Sequence, residues 1–186
     1  MQRHSSLTAG LALAASLTAA PALAAVSSSA QMGPLQVQLI DLNPNDGITP
    51  SLQFTNMGTN TSLFTLAMTP SPYVYDMQID TGATPWQPGS VAALAGLARA
   101  SAAIEGTGTA AGTRLSAAGS AGNFDSLYAF DAARYTGSAD APLMGGVFTL
   151  SANTIAVLSG VATVMASGTA TTVLEEYAAA TVHIEL

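Results

Sequence analysis

The stretch "LQVQLID" (residues 35–41) decides the fold class that we expect of this chain. Its apolar residues Leu35, Val37 and Leu39 alternate with polar ones. In a β-strand, a period of two residues places the two sets on opposite faces. The stretch "YVYDMQID" (73–80) alternates in the same way. Both stretches therefore predict half-buried strands.

Further segments with strand-like composition follow along the chain. They lie at residues 51–55, 62–68, 127–132, 146–151, 155–167 and 174–186. Turn-forming Gly, Pro, Asn, Asp and Ser separate them. Many short strands without predicted helical crossovers favour antiparallel pairing, because parallel strands need long crossover connections. The predicted fold is therefore all-β, an antiparallel β-sandwich of the jelly-roll or immunoglobulin-like kind.

Two segments are open to two interpretations each. In 90–106, Ser90 is a suitable cap for a helix that would carry Leu94, but the alternating alanines of 98–106 favour a strand. Segment 106–123 is rich in Gly, Ala, Ser and Thr, which is typical either of a flexible linker or of a hairpin made of small residues. Its position between two strand-rich halves supports the hairpin.

The first residues predict an export signal. Arg3 supplies a positive charge, residues 7–20 are apolar and rich in alanine, and "PALAA" (21–25) predicts cleavage by signal peptidase after Ala24. The apolar run is shorter than the roughly 20 residues that a membrane-spanning helix needs. We expect three parts: a cleavable signal peptide (1–24), a short flexible N-terminal segment (25–34) and a single β-sandwich domain (35–186).

The charge balance limits the partners of the exported chain. After cleavage it would keep all 11 acidic residues, three arginines and no lysine, a formal net charge of −8. Such a surface repels nucleic-acid phosphates and anionic lipid headgroups, so neither is an expected partner. The chain has no cysteine, which excludes disulfides, thiolate metal sites and thiol catalysis.

Residues 40–50, "IDLNPNDGITP", have part of the pattern of a calcium-binding loop. Oxygen-bearing side chains alternate there at Asp41, Asn43 and Asn45. An EF-hand loop also needs glycine at its sixth position and a carboxylate at its twelfth, where this chain has Asp46 and Leu52. The sequence therefore favours a turn between two strands, with Gly47 supplying the permissive backbone. A weaker, irregular calcium site at 40–47 stays as an alternative.

The stretch "IDTGATPW" (79–86) resembles the Asp-Thr-Gly active-site signature of retroviral-type aspartic proteases. That resemblance implies a homodimer in which Asp80 and its counterpart share a proton and activate a water. Those families also carry a downstream motif of two apolar residues followed by Gly, which "VLSG" (157–160) does not match well. A strand that ends in an Asp–Gly turn is the simpler interpretation.

Serine-hydrolase and zinc chemistry both need histidine, and His183 is the only one that remains after the predicted cleavage. No Gly-x-Ser-x-Gly elbow accompanies it, and "GSAG" (119–122) has the wrong spacing. One histidine is also too few for a histidine-rich zinc site. We therefore expect an exposed strand histidine, no catalytic, cofactor-binding or metal-binding residues, no cofactor and no enzyme activity.

The aromatic residues Tyr73, Tyr75 and Trp86 lie close together in the sequence. Exposed aromatic rings stack on sugars, whereas buried ones fill the core. The two tyrosines share a face with Met77 and Ile79, which favours the core for them. Trp86 is therefore the candidate for glycan binding, and that function predicts an exposed Trp86.

Several phrases together resemble a family of uncharacterised exported proteins of Gram-negative bacteria. The similar stretches are 35–54, 85–90, 112–121 and 148–166. Many members of that family carry a C-terminal PEP-CTERM sorting tag. The resemblance implies β-rich structure and, for 148–166, a strand, a turn and a returning strand. This chain ends in "TVHIEL" without the tag, so the resemblance does not extend to sorting at the membrane.

These observations predict a non-enzymatic exported structural or surface-associated protein, periplasmic or secreted. Its expected partners are further copies of itself, or components of the envelope or extracellular matrix. The alternating final segment, 174–186, offers a strand for pairing between copies. The alternatives are an extracellular glycan- or calcium-binding β-sandwich module and, less favoured, an aspartic protease that uses Asp80.

Overall fold

The computed structural model describes residues 24–55, 61–70, 73–84, 86–122, 134–140, 147–168 and 177–184. Within these ranges the chain forms thirteen β-strands and no helix. The strands are β1 (Ala24–Met32), β2 (Gln36–Asp41), β3 (Leu52–Thr55), β4 (Thr61–Pro70), β5 (Tyr73–Gly82), β6 (Gly89–Ala95), β7 (Ala98–Glu105), β8 (Arg114–Gly122), β9 (Arg134–Asp140), β10 (Val147–Leu150), β11 (Thr154–Ser159), β12 (Ala162–Gly168) and β13 (Tyr177–His183). The prediction of an all-β chain is confirmed.

Two larger sheets face each other. One has five antiparallel strands in the order β12-β1-β8-β7-β6, and the other has four in the order β13-β9-β4-β5. Strand β9 packs against β7 and β8, and β4 packs against β6 and β7, so the arrangement is sandwich-like. The pairing is antiparallel as predicted, except that β13 runs parallel to β9. The described part of the chain contains no helix with the length and hydropathy required to cross a bilayer.

The two segments with open interpretations are both strands. Residues 98–106 carry β7, as favoured, and the alternative helix at Ser90 is not formed because that residue lies in β6. Within the second segment, residues 114–122 form β8, which pairs with β7 in antiparallel register, so this part belongs to a hairpin whose first strand precedes the segment. The predicted strand at 127–132 lies outside the described residues.

The expectation of a flexible segment over 25–34 is corrected. Residues 24–32 form β1, which pairs with β8 on one side and β12 on the other. The strand consists mainly of Ser and Ala, so it lacks the strong apolar alternation that marks a strand in the sequence. It is ordered by backbone hydrogen bonds on both edges and by small facing residues, such as Ala30 opposite Ala117. The residues that follow the predicted cleavage site therefore belong to the sheet.

The core between the two sheets is dominated by alanine. One buried cluster consists only of alanines: Ala67, Ala93, Ala95, Ala98, Ala100 and Ala121. The other contains larger side chains, including Leu63, Ile104, Leu115 and Trp86. At Gly137 in β9, an added Cβ would lie 2.9 Å from the carbonyl oxygen of Ser101 in the facing sheet. Small residues therefore allow the sheets to approach closely.

Strands β2 and β3, from one segment of the chain, pair with β11 and β10 from another and form a two-stranded ribbon next to the five-stranded sheet. Strand β2 pairs with β11, and β3 pairs with β10. At its base, the backbone N–H of Leu35 donates to the carbonyl of Thr113 at 2.9 Å. Half-buried Val37 and Phe54 pack from the ribbon against the cluster that contains Trp86. This end of the molecule therefore carries the larger side chains.

Candidate functional site

The turn after β2 uses its oxygen atoms for its own backbone. The carboxylate of Asp41 accepts the N–H of Asn43 at 2.9 Å, and that of Asp46 accepts the N–H of Ile48 at 2.8 Å. The second oxygen of Asp46 accepts Nδ2 of Asn153 from the opposite turn of the ribbon at 2.7 Å. These bonds, that of Asn153 first, hold the pKa of Asp46 below its usual value.

The backbone of the same turn supports the turn interpretation of 40–47. Gly47 has a φ of 73°, a conformation that glycine adopts without steric cost. No group of three or more His, Cys, Asp or Glu side chains suited to a metal ion occurs among the described residues. The turn joins β2 to β3, which belong to different strand pairs of the ribbon.

The Asp-Thr-Gly motif lies in a strand. Asp80, Thr81 and Gly82 are the last residues of β5, and Asp80 pairs with Leu63 of β4. The Asp80 side chain is exposed at the edge of the four-stranded sheet, where its Oδ2 lies against Gly89. Paired-aspartate chemistry requires two such carboxylates to meet. Within the chain, Asp80 instead belongs to an ordinary antiparallel strand pair.

His183 is exposed, as predicted, with 52% of its side chain accessible. Its Nδ1 lies 3.8 Å from Oδ1 of Asp140, and the hydroxyl of Ser138 donates to Oδ2 of the same carboxylate at 3.4 Å. Burial raises the pKa of Asp140, against the lowering effects of His183 and Ser138. A nucleophilic serine needs its base at its own oxygen. Here the serine hydroxyl bonds to the carboxylate.

The prediction that Tyr73 and Tyr75 belong to the core is wrong. They are 67% and 60% exposed, and Met77 and Ile79 on the same row are also exposed. The alternation identified a shared face, but it does not say which face packs against the other sheet. In β5 the opposite row faces β6, and Asp76 of that row accepts the backbone N–H of Leu94 at 2.9 Å.

An apolar face therefore covers the outside of the β4–β5 pair in the four-stranded sheet. The β4–β5 register places Phe64 opposite Ile79, Leu66 opposite Met77 and Met68 opposite Tyr75. We call the apolar face the set Phe64, Leu66, Met68, Tyr73, Tyr75, Met77 and Ile79. None of these side chains is charged, and exposed apolar surface of this kind marks interaction sites.

The outer strand of the five-stranded sheet, β12, is exposed on both faces. All its residues are accessible, and Val164 and Met165, which point to opposite faces, are 74% and 59% exposed. Strand β13 of the other sheet lies over β1 and β8, so β12 extends beyond the described strands of the sandwich. We call this feature the β12 edge (162–168).

The prediction of an exposed Trp86, made for the glycan-binding alternative, is contradicted. Trp86 is only 1% exposed and packs edge-on against Phe54, with ring centroids 5.2 Å apart. A sugar therefore has no access to the Trp86 ring face from the surface. The backbone of Trp86 has a φ of 65°, which is unusual for a bulky residue.

Beside Trp86 lies a cavity of about 390 Å³ between the ribbon and the sandwich. Val37, Leu39, Leu52 and Phe54 line it from the ribbon, and residues 108–111 line it from the β7–β8 connection. The lining carries no charged side chain. The indole Nε1 of Trp86 is buried and has no hydrogen-bond partner in the described part of the chain.

Sequence reasoning missed both the β12 edge and the cavity. The sequence predicted one strand over 155–167, whereas the structure has two, β11 and β12, in different sheets. Nothing local indicates that β12 lies outside the sandwich. The cavity combines three segments that are distant in the sequence, so only the hydrophobic alternation of the ribbon could have pointed to it.

Comparisons with models of known protein families, with curated proteins and with solved structures gave no match to this chain. The resemblance to exported bacterial proteins therefore stays a prediction.

Proposed function

We propose that this is an exported, non-enzymatic structural or surface-associated protein that self-associates by pairing its β12 edge with that of a second copy. The observation that carries the proposal is the exposure of β12 on both faces, including Val164 and Met165. An edge strand presents unpaired backbone N–H and C=O groups, and these groups form a template for another strand.

The composition of β12 supports pairing at this edge. Residues 162–168, "ATVMASG", contain no charge and no proline, the two features with which soluble proteins commonly block an edge. At the opposite edge of the same sheet, the backbone N–H of Leu94 in β6 donates to the Asp76 carboxylate. This N–H is therefore not available to pair with another strand. Of these two edges, β12 is the one without such protection.

A second copy fits the β12 edge by its sequence. In an antiparallel pair centred on Met165, Val164 lies opposite Ala166 and Thr163 lies opposite Ser167, and the Met165 side chains meet at the two-fold axis. Each pair joins residues of similar character. Such an isologous contact would join two five-stranded sheets into one of ten strands.

The sequence supports a location outside the cytoplasm. The signal-like N-terminus, the scarcity of charge and the resemblance to exported Gram-negative proteins favour the periplasm, the cell surface or the matrix. The apolar face provides a second surface, on the other sheet, through which β12-linked pairs would contact each other or a matrix component. Together with the predicted export signal, the two surfaces support a structural role in the periplasm or outside the cell.

The proposal predicts the effect of a charge at the two-fold axis. Met165→Lys would place two positive charges opposite each other, and we expect the association to weaken by at least about tenfold. Met165→Glu would act in the same way, and a mixture of the two variants would associate again because the charges are then complementary. Sedimentation velocity over a range of concentrations measures each case.

The matched control is Ala92→Lys, which adds the same charge at an exposed position of β6. It should associate like the unaltered protein, with or without calcium. A protein that stays monomeric at high concentration would remove the proposal. Association of Met165→Lys that is as strong as that of the unaltered protein would also remove the proposal.

A further inference from the structure

We propose that the cavity beside Trp86 binds a small, uncharged, apolar molecule. Its volume of about 390 Å³ lies within the range of about 300–1,000 Å³ typical of small-molecule sites. This inference is independent of association through β12, because the cavity lies at the ribbon.

The lining determines the chemical class of the ligand. Four aliphatic or aromatic side chains of the ribbon and Trp86 supply an apolar surface, and no charged group is present to hold an ion. The hydroxyl groups at the rim already have partners: Thr109 donates to the carbonyl of Ala111 at 3.2 Å, and Thr84 donates to Gln87 at 3.3 Å. A charged or sugar-like molecule would therefore lose its water without compensation.

Trp86 contributes to the shape of the site and not a polar contact. Its indole Nε1 is buried from water-sized molecules, so a ligand in the cavity does not reach this N–H. The edge-on contact with Phe54 fixes the orientation of the indole ring.

The backbone of Trp86 provides a second, independent indication. A φ of 65° at a bulky residue is strained, and strain of this kind is concentrated at ligand clamps and active sites. The half-burial of Val37, Leu39, Leu52 and Phe54 also fits a site beneath the ribbon, since these four side chains face the cavity without filling it.

The cavity itself is tested with N-phenyl-1-naphthylamine, a neutral apolar fluorophore that accepts energy from tryptophan. Trp86 is the only tryptophan of the chain, so energy transfer reports proximity to one known residue. We expect saturable binding with quenching of Trp86. Ala111→Phe, at the exposed mouth of the cavity, should weaken it about tenfold or more, whereas Ala92→Phe on β6 should leave it unchanged.

Absence of saturable binding of the fluorophore, or equal binding by Ala111→Phe, would overturn the site.

Discussion

At the residue scale, the molecule uses small side chains inside and satisfies many polar groups locally. The carboxylates of Asp46 and Asp76 accept backbone N–H groups, and alanine fills one end of the core. Two buried threonines differ in whether their hydroxyl groups have a hydrogen-bond partner. The hydroxyl of Thr113 donates to the carbonyl of Thr109, whereas the hydroxyl of Thr65 has no partner in the described part of the chain.

This difference predicts opposite effects of the same substitution. Thr65→Val removes a buried hydroxyl without a partner and keeps the shape, so the free energy of unfolding should rise by about 1 kcal/mol. Thr113→Val breaks a buried hydrogen bond and should lower it by about 1 kcal/mol. Urea denaturation of both variants measures the two effects. A loss of stability in Thr65→Val would show that the hydroxyl is satisfied.

Asp76 predicts a pH dependence at the β5–β6 contact. The N–H of Leu94, and then Gln78, hold its pKa below the usual 3.8. Because the folded-state pKa is lowered, the stabilisation is present above pH 3.8 and is lost as the pH falls through the lower folded-state value. Asp76→Asn lacks this contribution. The unfolding free energies of the unaltered protein and of Asp76→Asn, measured from neutral to acidic pH, should therefore converge in acid. A difference between them that does not change with pH would contradict the assignment.

At the element scale, alternation predicted which residues share a face, and β2 and β7 show it as alternating burial, whereas nearly every residue of β5 is exposed. Alternation did not predict which face of β5 points to solvent, because Tyr73 and Tyr75 are residues of a type that also suits a buried face. Strands β1 and β9 were missed, since Ser, Gly and Ala carry little hydrophobic signal. The parallel pairing of β13 depends on contacts distant in sequence, which local patterns do not encode.

The two faces of β7 give a matched test of the sandwich. Ala102 is 2% exposed and faces the other sheet, whereas its neighbour Ala103 lies on the outer face. Ala102→Leu overpacks a core in which the sheets approach closely, and should lower the free energy of unfolding by about 1–3 kcal/mol. Ala103→Leu should change it by about 0.5 kcal/mol or less. Thermal or urea unfolding compares them, and equal effects would contradict two facing sheets.

At the scale of the whole molecule, the prediction of the all-β class is confirmed and the export signal stays a prediction, but the sequence did not predict the two features on which the proposals rest. The β12 edge is exposed because the described strands of the four-stranded sheet lie over β1, β8 and β7 and not over β12. The cavity exists because the ribbon lies against Trp86 and residues 108–111. Both depend on how distant segments meet, and local patterns contain no information about this.

The two proposals place the functions of the molecule at separate positions. The β12 edge would join copies, and the apolar face would extend the assembly. The cavity beneath the ribbon would hold a small molecule without involving either surface. A variant that blocks association should therefore still bind the apolar fluorophore, and a variant that blocks the cavity should still associate.

Amide hydrogen exchange across β12, followed over a range of protein concentrations, tests the pairing of copies most directly. The N–H groups of 162–168 that point away from β1 should exchange rapidly in dilute solution and slow as the concentration rises. In Met165→Lys they should stay rapid throughout. Exchange at these positions that is independent of concentration in the unaltered protein would contradict strand pairing between copies.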